Sequence, residues 1–251
     1  ATLWIAPREV AGDPEALPRA LMEHHITVLH AVPTLLALFA HDVPSLRIIN
    51  LGGEMCPQPL VERWATPDRQ MFNTYGPTEA TVSASLAQLR QGEPVTIGQA
   101  LPNYGLLVIE VIDPERIVDG KVPPLQILPF GEVGELCITG PGVAAGYLGR
   151  PDLSAEKFLP NPWATGAHDQ RLYRTGDLAR VEMTGQGGQM QCLGCADDQV
   201  KIRGHRIELG EELPPVVAEH GVERRERAAR DGQALVGPGE LQQPHDGILR
   251  S

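Results

Sequence analysis

Along residues 1–90 the apolar positions switch between a helical and a strand period, which predicts alternating helices and strands. Asp13-Pro14 reads as a helix N-cap followed by a proline at the first helical position. Leu17, Leu21 and Met22 then keep helical spacing as far as His25. The next run, "ITVLHAV", is a candidate buried strand. Pro33-Thr34 opens "TLLALFA" as a short apolar helix, "LRIIN" returns as a strand, and Gly52-Gly53 ends it. A helix through Leu60–Trp64 and the short strand "QMF" lead into "FNTYGPTEATVS", Phe72 to Ser83. Such alternation favours a largely parallel α/β sheet. It also sets that last stretch just past a strand's carboxyl end, where open α/β sheets hold ligands.

From about Thr96 the pattern changes to short β-like runs, "LLVIEVID", "GELCITG" and "GQMQCLG", separated by Gly, Pro and Asp. This predicts a β-rich subdomain rather than further α/β units. The proline-rich "GKVPPLQILPFGEVGE" is connector or edge material. No internal repeat is visible. After Gly210 the periodicity weakens: "AEHGVERRERAARDGQ" reads as a charge-dense helix and the remainder as loose chain.

The 251 residues, 42% hydrophobic, are enough for one large or two modest domains with real cores. Lys and Arg number 21 against 32 Asp and Glu, a net charge of −11, and that field disfavours nucleic acid and anionic membranes as partners. No apolar run has the length of a membrane span and "ATLWIAPREV" lacks a signal-peptide layout, so a cytoplasmic location is expected. Cys192 and Cys195 have the spacing of half a zinc site or a redox pair, but no second Cys or His pair follows at ligand spacing, which favours plain thiols.

Four stretches offer chemistry. In "NTYGPTEATV", Gly76-Pro77 makes a turn from which Thr78 and the lone carboxylate of Glu79 project; a solvated turn is the plainer reading. In "GPGVAAGYLGRPDLSAEKF", Gly140, Gly142 and Gly146 surround Tyr147 and fit turn duty, with Ser154 as a helix N-cap. In "YRTGDLAR", Asp177 follows the Gly176 turn; it suits a sugar diol and an Asx-turn equally well. In "DDQVKIRGHRIELGEE", Lys201, Arg203, His205 and Arg206 alternate in a strand-like run around Gly204, which fits an anionic ligand or a solvated strand face.

Taken in order, "VPTLLALF", "LRIINLGGE", "NTYGPTEATV", "GELCITGPGVAAGYL", "YRTGDLAR" and "DDQVKIRGHRIELGE" closely resemble the adenylation (AMP-binding) domains of nonribosomal peptide synthetases, over about residues 1–213. The resemblance implies part of the acyl-adenylate-forming fold: an α/β subdomain over 1–90, a β-rich subdomain over 91–196, and from 197 to 251 a hinge with the start of a small α/β C-terminal domain. It implies activation of an amino acid with ATP and Mg2+, then transfer to the phosphopantetheine thiol of a peptidyl carrier protein domain. On that basis Glu79 would hold Mg2+ and Thr78 would contact phosphate. Asn73, Tyr75 and Gly76 would shape the nucleotide side, and Asp177 would bind the ribose hydroxyls. Asp197 would be the hinge that brings Lys201 to the site. His30, Asn50, Gly52, Thr74, Val82 and Ser83 would line the amino-acid pocket, whose polar members imply a moderately polar side chain.

Where the family carries an aromatic beside adenine and an arginine after Gly194, this chain has Cys192 and Cys195. The family's glycine-rich phosphate loop and C-terminal lysine are not found either, so the chain is expected to be a fragment or degenerate copy that does not adenylate alone. An acyl- or aryl-CoA ligase of the same superfamily, and a non-catalytic remnant, are the alternatives.

Overall fold

The structure, a computed structural model, describes residues 2–113, 116 and 122–195, with the backbone of 200–202 and 205–207. The chain falls into two compact units, Ala1–Glu208 and Leu209–Ser251, and every described residue belongs to the first.

A single turn, α1 (Arg8–Ala11), precedes α2 (Ala16–Glu23), which buries Leu17 and Leu21. Asp13 is not the N-cap of α2, which is Glu15 with no side-chain cap bond; Asp13 holds the turn ahead of the helix, its Oδ1 accepting the backbone N–H groups of Glu15 and Ala16, both at 2.8 Å. Pro14 likewise lies in the turn before the helix rather than at its first position. The helix also stops short of His25, whose φ of 51° is left-handed.

Strand β1 (Val28–Ala31), helix α3 (Pro33–Ala37), strand β2 (Ile48–Gly52), helix α4 (Gln58–Trp64) and strand β3 (Gln70–Tyr75) follow, with the three strands parallel. Strands β4 (Ser85–Leu89) and β5 (Gln99–Ala100) then add antiparallel, in the order β1-β2-β3-β4-β5. The sheet is mixed rather than largely parallel because the link from β3 to β4 is too short for a crossover helix.

One face of this sheet carries Ile49, Leu51, Met71, Ala87 and Leu89 and buries them against Leu36, Phe39, Val61 and Trp64. Full burial of each large apolar side chain contributes about 1.5–3 kcal/mol. The other face is open. Strand β1 sits at the sheet's edge, with Val28 and His30 exposed, so the expectation of a buried strand fails there.

The β-rich part is an antiparallel sheet. It comprises β6 (Gly105–Ile109), β7 (Gly134–Thr139), then past helix α5 (Pro151–Lys157) the short β8 (Phe158–Pro160), and the long β9 (Arg171–Thr184) and β10 (Gly187–Cys195), in the order β10-β9-β7-β6 with β8 on β9. "LLVIEVID" is strand only as far as Ile109. Ser154 is not an N-cap: Pro151 opens α5, and the Ser154 hydroxyl donates back to the Arg150 carbonyl at 2.7 Å. The two sheets join where Ile97 N–H donates to Met190 O and Met190 N–H to Gly98 O, each at 2.8 Å.

The basic run is a hairpin rather than one strand: β11 (Val200–Ile202) and β12 (His205–Ile207) pair antiparallel, Lys201 opposite Arg206. Arg203, Gly204, Asp197 and the charge-dense stretch after Gly210 lie outside the described residues. Among the described residues no helix is long and apolar enough to cross a membrane.

Candidate active site

Strand β3 runs through Tyr75, further than the "QMF" run predicts, so Asn73, Thr74 and Tyr75 stand on a strand and the loop begins at Gly76. A Cβ on Gly76 would lie 2.7 Å from both Ala84 N and Val82 O, so the loop closes this tightly only on glycine. Thr78–Ala80 then makes one 3-10 turn, after which Thr81 and Val82 have φ of 57° and 69°. Two consecutive β-branched residues in the left-handed region store strain, which the surroundings must hold. They do so through the 140–147 segment. Thr81 Oγ1 donates to Gly142 O at 2.7 Å, Ala144 N–H donates to Glu79 O at 2.8 Å, and the Tyr147 hydroxyl donates to Glu79 Oε1 at 2.6 Å. Tyr104 adds a bond from its hydroxyl to Ala80 O at 3.1 Å.

The second functional stretch is a bulge within β9 rather than a turn. Glu135 pairs with Leu178 and Cys137 with Arg174, so Thr175, Gly176 and Asp177 together face Leu136. Gly176 takes a φ of 75° there, which a side chain would resist. Buried Glu135 pins the bulge: its Oε2 accepts from Arg174 at 2.7 and 3.0 Å and its Oε1 from Gly176 N–H at 3.2 Å. Thr175 Oγ1 donates to Leu136 O at 2.7 Å and accepts from Asp177 N–H at 3.0 Å. The outcome is a buried Asp177 carboxylate aimed at the first sheet, where Tyr75 donates its phenol proton to Oδ2 at 2.5 Å. Desolvation first, and then the Asp177 charge, push the Tyr75 phenol well above its ordinary pKa, so it stays a donor.

Between these elements lies a cavity of about 360 Å³. Its walls are Gly53 to Cys56 and Gln58 beyond β2, Asn73 to Gly76 at the end of β3, Pro94 to Ile97, and Gln191 to Leu193 on β10. Asn73 is buried and donates from Nδ2 to Thr96 O at 2.9 Å, which fixes that wall. Cys192 lines the cavity, and Cys195 donates its thiol proton to Asp177 Oδ1 at 3.0 Å. None of the four cysteines forms a disulfide, and no cluster of three metal-ligating side chains occurs among the described residues. Burial pushes the wall thiol of Cys56 up to about 11.

Four of the six residues expected to line an amino-acid pocket, His30, Asn50, Gly52 and Thr74, fall on the open face of the first sheet. Register sets His30 beside Asn50 and Gly52 beside Thr74. Asn50 Nδ2 and His30 Nδ1 are 3.0 Å apart, and Asn50 Oδ1 is a buried acceptor with no partner. Thr74 donates its hydroxyl to Leu51 O at 2.9 Å. Val82 and Ser83 sit in the strained loop, Val82 well exposed, and Thr78 is exposed beside Glu79. Lys201 stands on the β11 backbone. Sequence reasoning did not give Glu135, Arg174 or Tyr147 a part. Their signals were an acid within the apolar "GELCITG" and a tyrosine after three glycines.

A cavity of ligand size at the carboxyl end of a mixed α/β sheet, closed by an antiparallel sheet whose Asp177 bonds the lining residue Tyr75, suits part of the α/β acyl-adenylate-forming fold. The chain belongs to the AMP-binding enzyme family, whose model matches residues 1–148. It is 64% identical over 211 residues to the Delta-poly-L-ornithine synthetase of Acinetobacter baumannii, covering 84% of this chain and 15% of that protein. It is 43% identical over 215 residues to Novobiocin biosynthesis protein H of Streptomyces niveus, covering 84% of this chain and 32% of that protein. An artificially fused Adenylation-PCP di-domain of a nonribosomal peptide synthetase from Klebsiella oxytoca, NpsA-ThdA, superposes with a TM-score of 0.63 at 29% identity, over 78% of this chain and 36% of that one. The chain thus spans less than a third of the length of these two sequence relatives.

The residues present suit a nucleotide with Mg2+. Mg2+ is commonly held by one or two carboxylates plus phosphates and waters rather than by a protein cage, and Glu79 offers a carboxylate close in sequence to Gly76 of the cavity wall.

Proposed function

We propose that the chain is the nucleotide-binding part of an amino-acid-activating adenylation domain. Such a domain joins ATP and an amino acid to aminoacyl-AMP with release of pyrophosphate. It then passes the aminoacyl group to the phosphopantetheine thiol of a peptidyl carrier protein domain. The observation that carries this reading is the meeting of Tyr75 and Asp177 beside the cavity, with Glu79 a few residues past the Gly76 wall.

In this reading Asn73, Tyr75 and Gly76 flank the nucleoside and Asp177 accepts the ribose hydroxyls. Thr78 contacts phosphate, and Glu79 ligates Mg2+, which neutralises phosphate charge when bound. The division at 90 and 196 marks the nucleotide wall, the ribose-binding part and the C-terminal part. Rotation about Asp197 brings Lys201 to the site.

His30, Asn50, Gly52, Thr74, Val82 and Ser83 form the amino-acid side. The unpartnered Asn50 Oδ1 favours a substrate side chain that carries a donor, because a buried acceptor left unpaired is costly. The name of the 64% identical relative contains ornithine, an amino acid of that kind, which makes ornithine the first to try. The reading has no nucleic acid or membrane partner, and its location is the cytoplasm.

The test is ATP–pyrophosphate exchange by this chain completed with flanking segments from an active relative, across a panel of amino acids led by ornithine, beside its Glu79→Gln variant. The account expects exchange that requires an amino acid and falls by at least about 100-fold in Glu79→Gln, the scale of several kcal/mol of lost charge stabilisation. Exchange driven by aryl or fatty acids alone would favour the CoA-ligase alternative. Exchange unchanged by Glu79→Gln would overturn the assignment.

A further inference from the structure

The 140–147 segment does more than close a turn. Its Tyr147 hydroxyl meets Glu79 Oε1 at 2.6 Å, shorter than the usual O–H···O distance and in the range of charge-assisted bonds. Three contacts fix the tyrosine itself. Its ring packs edge-on against Phe158, with centroids 5.3 Å apart and planes at 70°. Phe158 in turn leans on Tyr173, whose hydroxyl lies 3.4 Å from that of Tyr147. The Tyr147 N–H donates to Ser154 Oγ at 2.8 Å, and Ser154 is anchored by its own bond to Arg150 O. A Cβ on Gly146 would come within 2.8 Å of that same Ser154 Oγ, so the segment lies flat on α5. Glu79 is held independently at its main chain by Ala144 N–H. The loop's main chain is therefore held without the Tyr147 hydroxyl, which engages the carboxylate.

We propose that Tyr147 is a positioning residue for Glu79: its hydroxyl engages one carboxylate oxygen and fixes the plane in which the group meets a nucleotide-bound divalent cation. The inference rests on the reading of Glu79 as a metal ligand. A carboxylate on a two-methylene stem samples several rotamers, and a cation that dehydrates as reluctantly as Mg2+ selects among them; a donor on one oxygen restricts that freedom before binding. Lost outer-shell bonds of this type typically cost about 10–100-fold in metal affinity.

The experiment titrates the 251-residue chain with ATP at a series of Mg2+ concentrations and with ATP in EDTA, for the parent, Tyr147→Phe, Glu79→Gln and the double variant, with a melting curve for each. Phenylalanine keeps the ring on Phe158 and removes only the hydroxyl. The expected result is that Tyr147→Phe leaves metal-free ATP affinity within about twofold, raises the half-saturating Mg2+ at least about tenfold, and adds nothing in the Glu79→Gln background. A parent-like Mg2+ dependence in Tyr147→Phe, with Glu79→Gln impaired, would overturn the positioning role and leave the function intact. Equal loss of metal-free and metal-dependent binding would overturn it in favour of a purely structural tyrosine. No effect of Glu79→Gln would remove the metal assignment and this inference with it.

Discussion

The Tyr75 hydroxyl and the Asp177 carboxylate, 102 residues apart in sequence, are joined by a 2.5 Å hydrogen bond that links the end of β3 to the bulge of β9. The two sheets thus share a polar contact beside the cavity they enclose. Tyr75→Phe keeps the ring and removes the donor, and a hydrogen bond to a charged group contributes about 1.5–3 kcal/mol. Urea unfolding should show a loss in that range with an unchanged slope. A loss under about 0.5 kcal/mol would mean that the bond contributes only geometry.

Glu135 holds the bulge that aims Asp177, and both it and Arg174 are buried. Removing one member of a buried ion pair leaves an uncompensated charge, so Glu135→Gln should destabilise the chain by about 3–5 kcal/mol. Glu135→Gln with Arg174→Met should recover part of that loss. A double variant no better than the single one would show that the geometry of the bulge, rather than the charge, is what suffers.

The acid side of the stability profile has a defined contributor. Arg69 bonds to Asp42 at 2.8 Å, and its guanidinium holds the carboxyl below the ordinary aspartate value of 3.8. A depressed folded pKa stabilises above the unfolded value and loses its effect as pH falls through the folded one. Asp42→Asn should therefore melt below the parent at neutral pH, and the gap should close as pH drops beneath 3.8. A gap that stays constant down to about pH 2 would assign the effect to packing rather than to ionisation.

Local signals in the sequence were legible where neighbours in sequence decide the structure. Leu17 and Leu21 define the buried face of α2 because residues three and four apart share a helix face. The exposure of β1 was not legible, since a buried and an edge strand carry the same apolar run until pairing is known. The bulge at 175–177 was invisible for a similar reason: "RTGD" suits a turn, and only Glu135, 39 residues before Arg174, makes it a kink in a long strand. At the site, the separate stretches could be read from their residues, and only the family resemblance joined them; the contacts that join them were not legible. Register across two sheets brings Asp177 to Tyr75, and the glycine segment that looked like a plain turn delivers Tyr147 to Glu79.

Asp177 Oδ1 and Oδ2 accept from Cys195 and Tyr75, which fixes the plane of the carboxylate that the proposed ribose contact would use. The most direct measurement compares the affinities of the 251-residue chain for ATP and 2′-deoxy-ATP, in the parent and in Asp177→Ala. The account predicts that the parent binds ATP at least about tenfold tighter than the deoxy nucleotide, and that Asp177→Ala loses about 10–100-fold toward ATP and discriminates no longer, as expected for charge-assisted bonds of 1.5–3 kcal/mol. Equal discrimination in parent and variant, or ATP affinity untouched by the substitution, would contradict a nucleotide site built on Tyr75 and Asp177.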